Sequence, residues 1–202
     1  DPLQGVFPVL NLPPLKYLDI IKLHQVSNNK KKKFKIKILT NITLSPIKEI
    51  LELTLWNNNL NAEVVIGEYD NIIQEGLSDN KSDYIIIFWE LWNFFQSAAP
   101  KLENISETEF ADLKKKLKKD LLMVLDNLKS QKLVLINRFL NIPYSRYDGL
   151  HNRLNKLVDF ANKILENCKN QNLRLIDVNQ IHLLHSISKT IDNRYLYSSK
   201  SI

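Results

Sequence analysis

Between residues 35 and 95 the chain alternates short apolar runs with a segment whose apolar residues recur at helical spacing. Lys35–Thr40 (KIKILT), Glu63–Glu68 (EVVIGE) and Tyr84–Phe88 (YIIIF) have the length and β-branched content of strands. Between the first two, Ser45–Asn59 has the three-to-four spacing of an amphipathic helix, with Ser45 as N-cap and Pro46 at a first helical position that needs no amide hydrogen. Tyr84–Phe88 is apolar at nearly every position, as a strand covered on both faces must be, which makes it a central strand.

The same alternation continues downstream. Ser106–Glu109 (SETE) is a capping box, and Phe110, Leu113, Leu117, Leu121, Val124 and Leu128 follow on one helical stripe. Lys132–Asn137 reads as a fourth strand, and Leu150–Cys168 as a long helix with Leu154, Leu157, Val158, Ala161, Ile164, Leu165 and Cys168 on one face. Leu173–Val178 is a fifth strand, and residues 181–202 read as a short helix and a polar tail. Upstream, residues 1–29 form an arm containing Pro2, Pro8, Pro13 and Pro14, then a short amphipathic piece, Leu15–Leu23, with Leu15, Leu18, Ile20 and Ile21 turned toward the domain. Ser27–Lys33 is the linker to a domain spanning residues 34–202. The expected fold is α/β, a doubly wound five-stranded parallel sheet of order 2-1-3-4-5, flavodoxin-like, with an N-terminal arm. Sheets of this kind bind ligands at the carboxyl ends of their strands.

Composition narrows the partners. A 202-residue chain is long enough for one well-buried domain and too short for two ordinary ones. No apolar run approaches the roughly 18 residues of a membrane span, and no signal-peptide pattern opens the chain, so the expectation is a cytoplasmic, non-membrane protein. The single cysteine, Cys168, excludes an intrachain disulfide and reads as an inert thiol on an apolar stripe. The net charge of +6 favours acidic partners. Its lysines cluster at Lys30–Lys33 and along one helix at Lys114, Lys115, Lys116, Lys118 and Lys119. Aromatic residues are not interleaved with these lysines as a base-stacking surface requires, so nucleic acid is not an expected partner.

The run from Lys35 to Glu75 carries a resemblance. A strand ending in Thr40-Asn41-Ile42-Thr43, a helix opening with Pro46-Ile47-Lys48, and a second strand ending in Gly67-Glu68-Tyr69-Asp70 together resemble the N-terminal domain of the FkbH-like proteins. The flanks Pro13–Gln25 and Asp192–Lys200 resemble that family too. The resemblance implies an SGNH-hydrolase-like fold, normally followed by a haloacid-dehalogenase-type phosphatase domain of subfamily IIIC. It implies a part in moving a glyceryl or acyl group to an acyl carrier protein, in polyketide or surface-polysaccharide synthesis. The dehalogenase-type nucleophile signature, two aspartates two residues apart, does not occur in this sequence.

An SGNH hydrolase needs a serine after the first strand, glycine and asparagine oxyanion donors after the second and third, and an Asp-x-x-His pair after the last. Serine requires a histidine to take its proton. Here no Gly-Asp-Ser occurs; the first loop offers Thr40, Asn41 and Thr43, which with Glu90 are the catalytic candidates. Gly67, Trp92, Asn93, Asn137 and Arg194 are the substrate-binding candidates, and Lys114, Lys115 and Lys118 the partner-binding ones. Asp148 and His151 have the Asp-x-x-His spacing but precede the last long helix, whereas Asp177 ends the last strand and is followed at a different spacing by His182 and His185. His182 and His185 could share a helix face, yet no third ligand has a recognisable metal spacing, so no metal and no cofactor are expected. Two readings follow: a non-hydrolytic module that docks a carrier protein for a phosphatase-type partner, or an acyl- or glyceryl-transferring esterase with a nonstandard site built from Thr40, Asn41, Thr43, Glu90 and Asn137.

Overall fold

Five short, mostly apolar segments pair side by side, because a sheet pairs their main chains while burying their apolar side chains. In the computed structural model they are β1 (Phe34–Thr40), β2 (Ala62–Ile66), β3 (Tyr84–Phe88), β4 (Leu133–Asn137) and β5 (Leu173–Ile176). The structure describes residues 16–27, 33–44, 46–78, 82–95, 101–140 and 152–180. All four strand pairings are parallel, in the order β2-β1-β3-β4-β5. Helices α1 (Tyr17–Ser27), α2 (Ile47–Asn57), α3 (Ile72–Leu77), α4 (Leu91–Phe95), α5 (Glu107–Asn127) and α6 (Asn152–Glu166) complete the described elements. The α/β class and the strand order are those the alternating pattern predicts.

The order reverses direction once. The chain steps from β1 outward to β2, then crosses back over β1 to β3 and continues to β4 and β5. Right-handed crossovers therefore place α2 on one face and α3, α5 and α6 on the other. The core divides accordingly. Ile36, Ile38, Ala62 and Val64 pack with Leu51 and Leu55 of α2, and Leu39, Ile85, Ile87, Val134 and Ile136 pack with Leu117, Leu121, Leu157 and Ala161 of α5 and α6. Gly76 of α3 allows a close approach to α5: an added Cβ would stand 3.1 Å from Val124.

Two local devices match the sequence chemistry. The Ser106 hydroxyl accepts from the Glu109 amide at 3.2 Å while the Glu109 carboxylate accepts from the Ser106 amide at 2.8 Å, closing the capping box of α5. At the other sheet edge, β2 has main-chain groups facing away from β1, and α2 takes them: Trp56 Nε1 donates to the Ala62 carbonyl at 2.8 Å and Glu52 Oε1 accepts from the Val64 amide at 2.7 Å. An exposed strand edge invites pairing with another chain, and these side chains cover it.

Element boundaries shift by a few residues where chain ends fray. β2 ends at Ile66, two residues before the predicted Glu68, because the Gly67 amide closes the ladder to Ile38 and the chain then turns. β5 ends at Ile176 rather than Val178, and α6 is described over Asn152–Glu166 inside the predicted Leu150–Cys168. The N-terminal helix is a larger correction. It runs Tyr17–Ser27, beyond Leu23, and Leu18 is 70% exposed instead of facing the domain. Its packed face carries Ile20, Ile21 and His24, because His24 is drawn onto α2: Nε2 lies 2.5 Å from Glu52 Oε2 and the ring stacks on Trp56 at 4.8 Å. No described helix is long and apolar enough to cross a membrane.

Candidate functional site at the carboxyl edge of the sheet

The register brings the carboxyl ends of the strands to one edge, with Thr40 opposite Phe88, Ile87 opposite Ile136, and Asn137 opposite Ile176. The loops after β1 and β3 leave this edge toward opposite faces, and such a switch point opens a crevice. The crevice is a cavity of about 170 Å³, lined among the described residues by Ile42, Leu44, Ile47, Phe88, Trp89, Glu90, Asn137, Leu140 and Val178.

Asparagine side chains hold its rim. Asn41 Oδ1 accepts from the Glu90 amide at 2.7 Å and its Nδ2 donates to the Glu90 carbonyl at 2.8 Å. From the other side, Asn137 Oδ1 accepts from the Trp89 amide at 2.7 Å and its Nδ2 donates to the Trp89 carbonyl at 3.0 Å. Asn162 of α6 makes the same two-point pairing with the main chain of Phe139, at 2.9 and 3.1 Å. A primary amide carries a donor and an acceptor side by side, as a peptide unit does, so Asn41 and Asn137 continue the pairing of the strands past the end of β3, and Asn162 holds the chain past β4 from α6. Trp89 and Glu90 are clamped between β1 and β4.

Glu90 then starts α4. Its Oε2 accepts from the Asn93 amide at 2.8 Å, its carbonyl accepts from Phe94 at 3.2 Å, and Asn93 Nδ2 returns to the Asn41 carbonyl at 2.9 Å. Thr40 is only 2% exposed, and its hydroxyl is engaged both ways with Ile42, donating to the carbonyl at 2.9 Å and accepting from the amide at 3.0 Å. This closed turn is a typical local use of a threonine hydroxyl. Trp89 meets Phe94 and Phe139 edge to face at 5.8 and 6.4 Å, which fixes the indole beside the core.

The structure thus joins Asn41, Glu90 and Asn93 in one hydrogen-bonded cluster, with Thr40 and Asn137 at the strand ends beside it. Thr43 is exposed and Gly67 stands apart from the cavity wall: the Gly67 amide donates to the Ile38 carbonyl at 2.8 Å, continuing the β1–β2 ladder. The loop after β2 still reaches β1, since Asp70, at φ 58, donates its amide to the Thr40 carbonyl at 3.0 Å. Burial, with Asp70 next, pushes the neighbouring Tyr69 hydroxyl above its ordinary pKa. Arg194, Asp148, His151, His182 and His185 lie outside the described residues, as does the side chain of Trp92. Among the described residues no three His, Cys, Asp or Glu side chains gather as a metal would need. Cys168 is half-buried against the core.

The lysine helix divides in two. Lys114 is half-buried, its Nζ 5.2 Å from the Phe110 ring and 5.5 Å from that of Phe160, so it belongs to the α5–α6 packing. Lys115 and Lys118 point to solvent, Lys115 in a loose pair with Asp112 at 3.5 Å. Sequence reasoning did not single out Asn162 or the His24–Glu52 pair. An asparagine next to Ala161 on an otherwise apolar helix stripe was the available signal for Asn162.

No family model matches the sequence, and no curated protein matches it. Among solved structures, the chain is similar to the N-terminal part of BF1531 from Bacteroides fragilis, described as containing a phosphatase domain complexed with Mg, at 16% identity and a TM-score of 0.68. That likeness covers 91% of this chain and 51% of the other, so the chain spans about half the length of that structure. It is also similar to the lipase Lip_vut3 from a goat rumen metagenome, at 15% identity and a TM-score of 0.50, over 72% of this chain and 80% of that one. These likenesses show an α/β fold shared with those two structures.

Proposed function

We propose that the chain is the SGNH-like N-terminal module of an FkbH-like protein, and that it acts as a non-hydrolytic binding module in group transfer to an acyl carrier protein. Residues 34–202 form the domain, residues 1–29 its lead-in, and a phosphatase-type domain, in the same polypeptide or in trans, supplies the phosphoryl chemistry. The observation that carries this reading is the Thr40 hydroxyl. It stands at the carboxyl end of β1, next to the loop where a hydrolase of this fold would hold its nucleophile, and it is buried and spent on the main chain of Ile42. The Asn41 and Asn137 amides are likewise committed to holding the rim. The likeness to half of a structure described as containing a phosphatase domain supports the two-part architecture.

The exposed Lys115 and Lys118 offer a face for an acidic carrier protein, where complementary charge speeds encounter more than it deepens affinity. The test pairs two measurements on the purified chain. Cleavage of p-nitrophenyl acetate should stay near the uncatalysed rate, and an acidic acyl carrier protein should associate more slowly and with a flatter salt dependence when Lys115→Glu and Lys118→Glu are combined. Ester turnover that is lost in His151→Ala or His182→Ala, or association unchanged by the charge reversals, would overturn the proposal.

A further inference from the structure

We infer that the cavity beside Trp89 holds the hydrocarbon end of an acyl group of about six carbons, an assignment that rests on the binding-module reading above and names its cargo. Three features point to this class. The first is the wall, where Ile42, Leu44, Phe88, Trp89, Leu140 and Val178 present mostly hydrocarbon. The second is the state of the two polar residues that line it among the described residues. Asn137 has its Oδ1 on the Trp89 amide and its Nδ2 on the carbonyls of Trp89 and Arg138, and Glu90 has an oxygen on the Asn93 amide.

A glyceryl group would bring its hydroxyls against a wall that is mostly hydrocarbon, and the Asn137 amide would have to release the main chain of Trp89 to bond them. A buried polar group without a partner is disfavoured, whereas methylene groups need none. The third feature is size. An apolar cavity of about 150 Å³ accommodates a benzene ring, and the space here is about 170 Å³, room for about six carbons. The cavity opens at the switch point between the β1 and β3 loops, so a chain inserted tail first leaves its carbonyl end at the carboxyl edge of the sheet.

The experiment uses neutral N-acetylcysteamine thioesters of butanoic, hexanoic, octanoic and decanoic acids, with glycerol as the polar control, followed by tryptophan fluorescence and calorimetry on the intact chain. Affinity should rise about fourfold per added methylene, the equivalent of about 0.8 kcal/mol, and level off near six carbons, while glycerol leaves the signal unchanged. Leu44→Trp fills the cavity from a half-buried loop position and should abolish the chain-length dependence. Leu140→Ala enlarges it and should move the plateau to longer chains.

Affinity independent of chain length, saturable binding of glycerol, or a plateau that neither variant moves would overturn the assignment. The two proposals fail separately. Carrier-protein association with no thioester binding removes the acyl cargo and leaves the binding module, and histidine-dependent thioester hydrolysis with the chain-length dependence intact removes the module and leaves the cargo.

Discussion

Replacing Glu52 with alanine should remove two attachments at once. The carboxylate is 3% exposed and bridges the Val64 amide on the outer edge of β2 to the His24 imidazole of α1. A hydrogen bond to a charged acceptor contributes about 1.5–3 kcal/mol, and its loss here strands a strand-edge amide behind α2. Breaking a buried pair costs about 3–5 kcal/mol, but the His24 side chain keeps 13% exposure and can recover part of its bonding from water. The lower end applies, about 3 kcal/mol.

With a urea m-value of about 2 kcal/mol per molar, the unfolding midpoint of Glu52→Ala should fall by about 1.5 M. Glu52→Gln keeps one carbonyl acceptor and should lose less than half as much. The combined His24→Ala and Glu52→Ala variant should show a coupling of about 1–2 kcal/mol between the two residues. A midpoint shift in Glu52→Ala worth less than about 1 kcal/mol, or a Gln variant as unstable as the Ala variant, would refute the argument that Glu52 joins the sheet edge to α1.

Asn137→Ala should destabilise the chain by about 2–4 kcal/mol, because the Trp89 amide and carbonyl both lose their partner behind a buried rim; thermal unfolding followed by circular dichroism reads it, and a loss under about 1 kcal/mol would show that the pairing holds nothing. Asp83 governs an acid response. The Lys132 ammonium, first, and the Lys35 amide hold its carboxyl below the ordinary 3.8, so its contribution is fully present above that value and is lost as pH falls through the lower folded value. Asp83→Asn should therefore lower the denaturant midpoint at neutral pH and converge with the parent chain below pH 3.8, and a gap that persists in acid would exclude the linkage.

The sheet was legible because its signal is local. An apolar run such as Tyr84–Phe88 needs burial on both faces, and five such runs separated by helical spacing leave few parallel arrangements. The site was less legible because its residues act through the main chain of distant segments. Asn41 and Glu90 are 49 positions apart, and Asn137 and Trp89 48, so neither spacing nor composition announces a two-point pairing that exists only after the strands align. Residue type alone offered Thr40, Asn41 and Asn137 as reacting or substrate-touching groups; burial and bonding give them a holding role. The outward turn of Leu18 has the same origin, because a polar residue, His24, sets the packed face of α1 through a partner 28 positions away.

The three asparagine pairings also set a clock. Amide protons one or two residues past a strand end ordinarily exchange with solvent by local fraying, long before the sheet itself opens. Here the amides of Trp89, Glu90 and Phe139 are each held by a side chain anchored in β4, just past β1, or in α6. To release one of them, the chain must break a side-chain pairing as well as fray. The rim of the cavity should therefore open more rarely than an unheld strand end, and a guest meets walls already in place, so ordering them adds little to the cost of its capture.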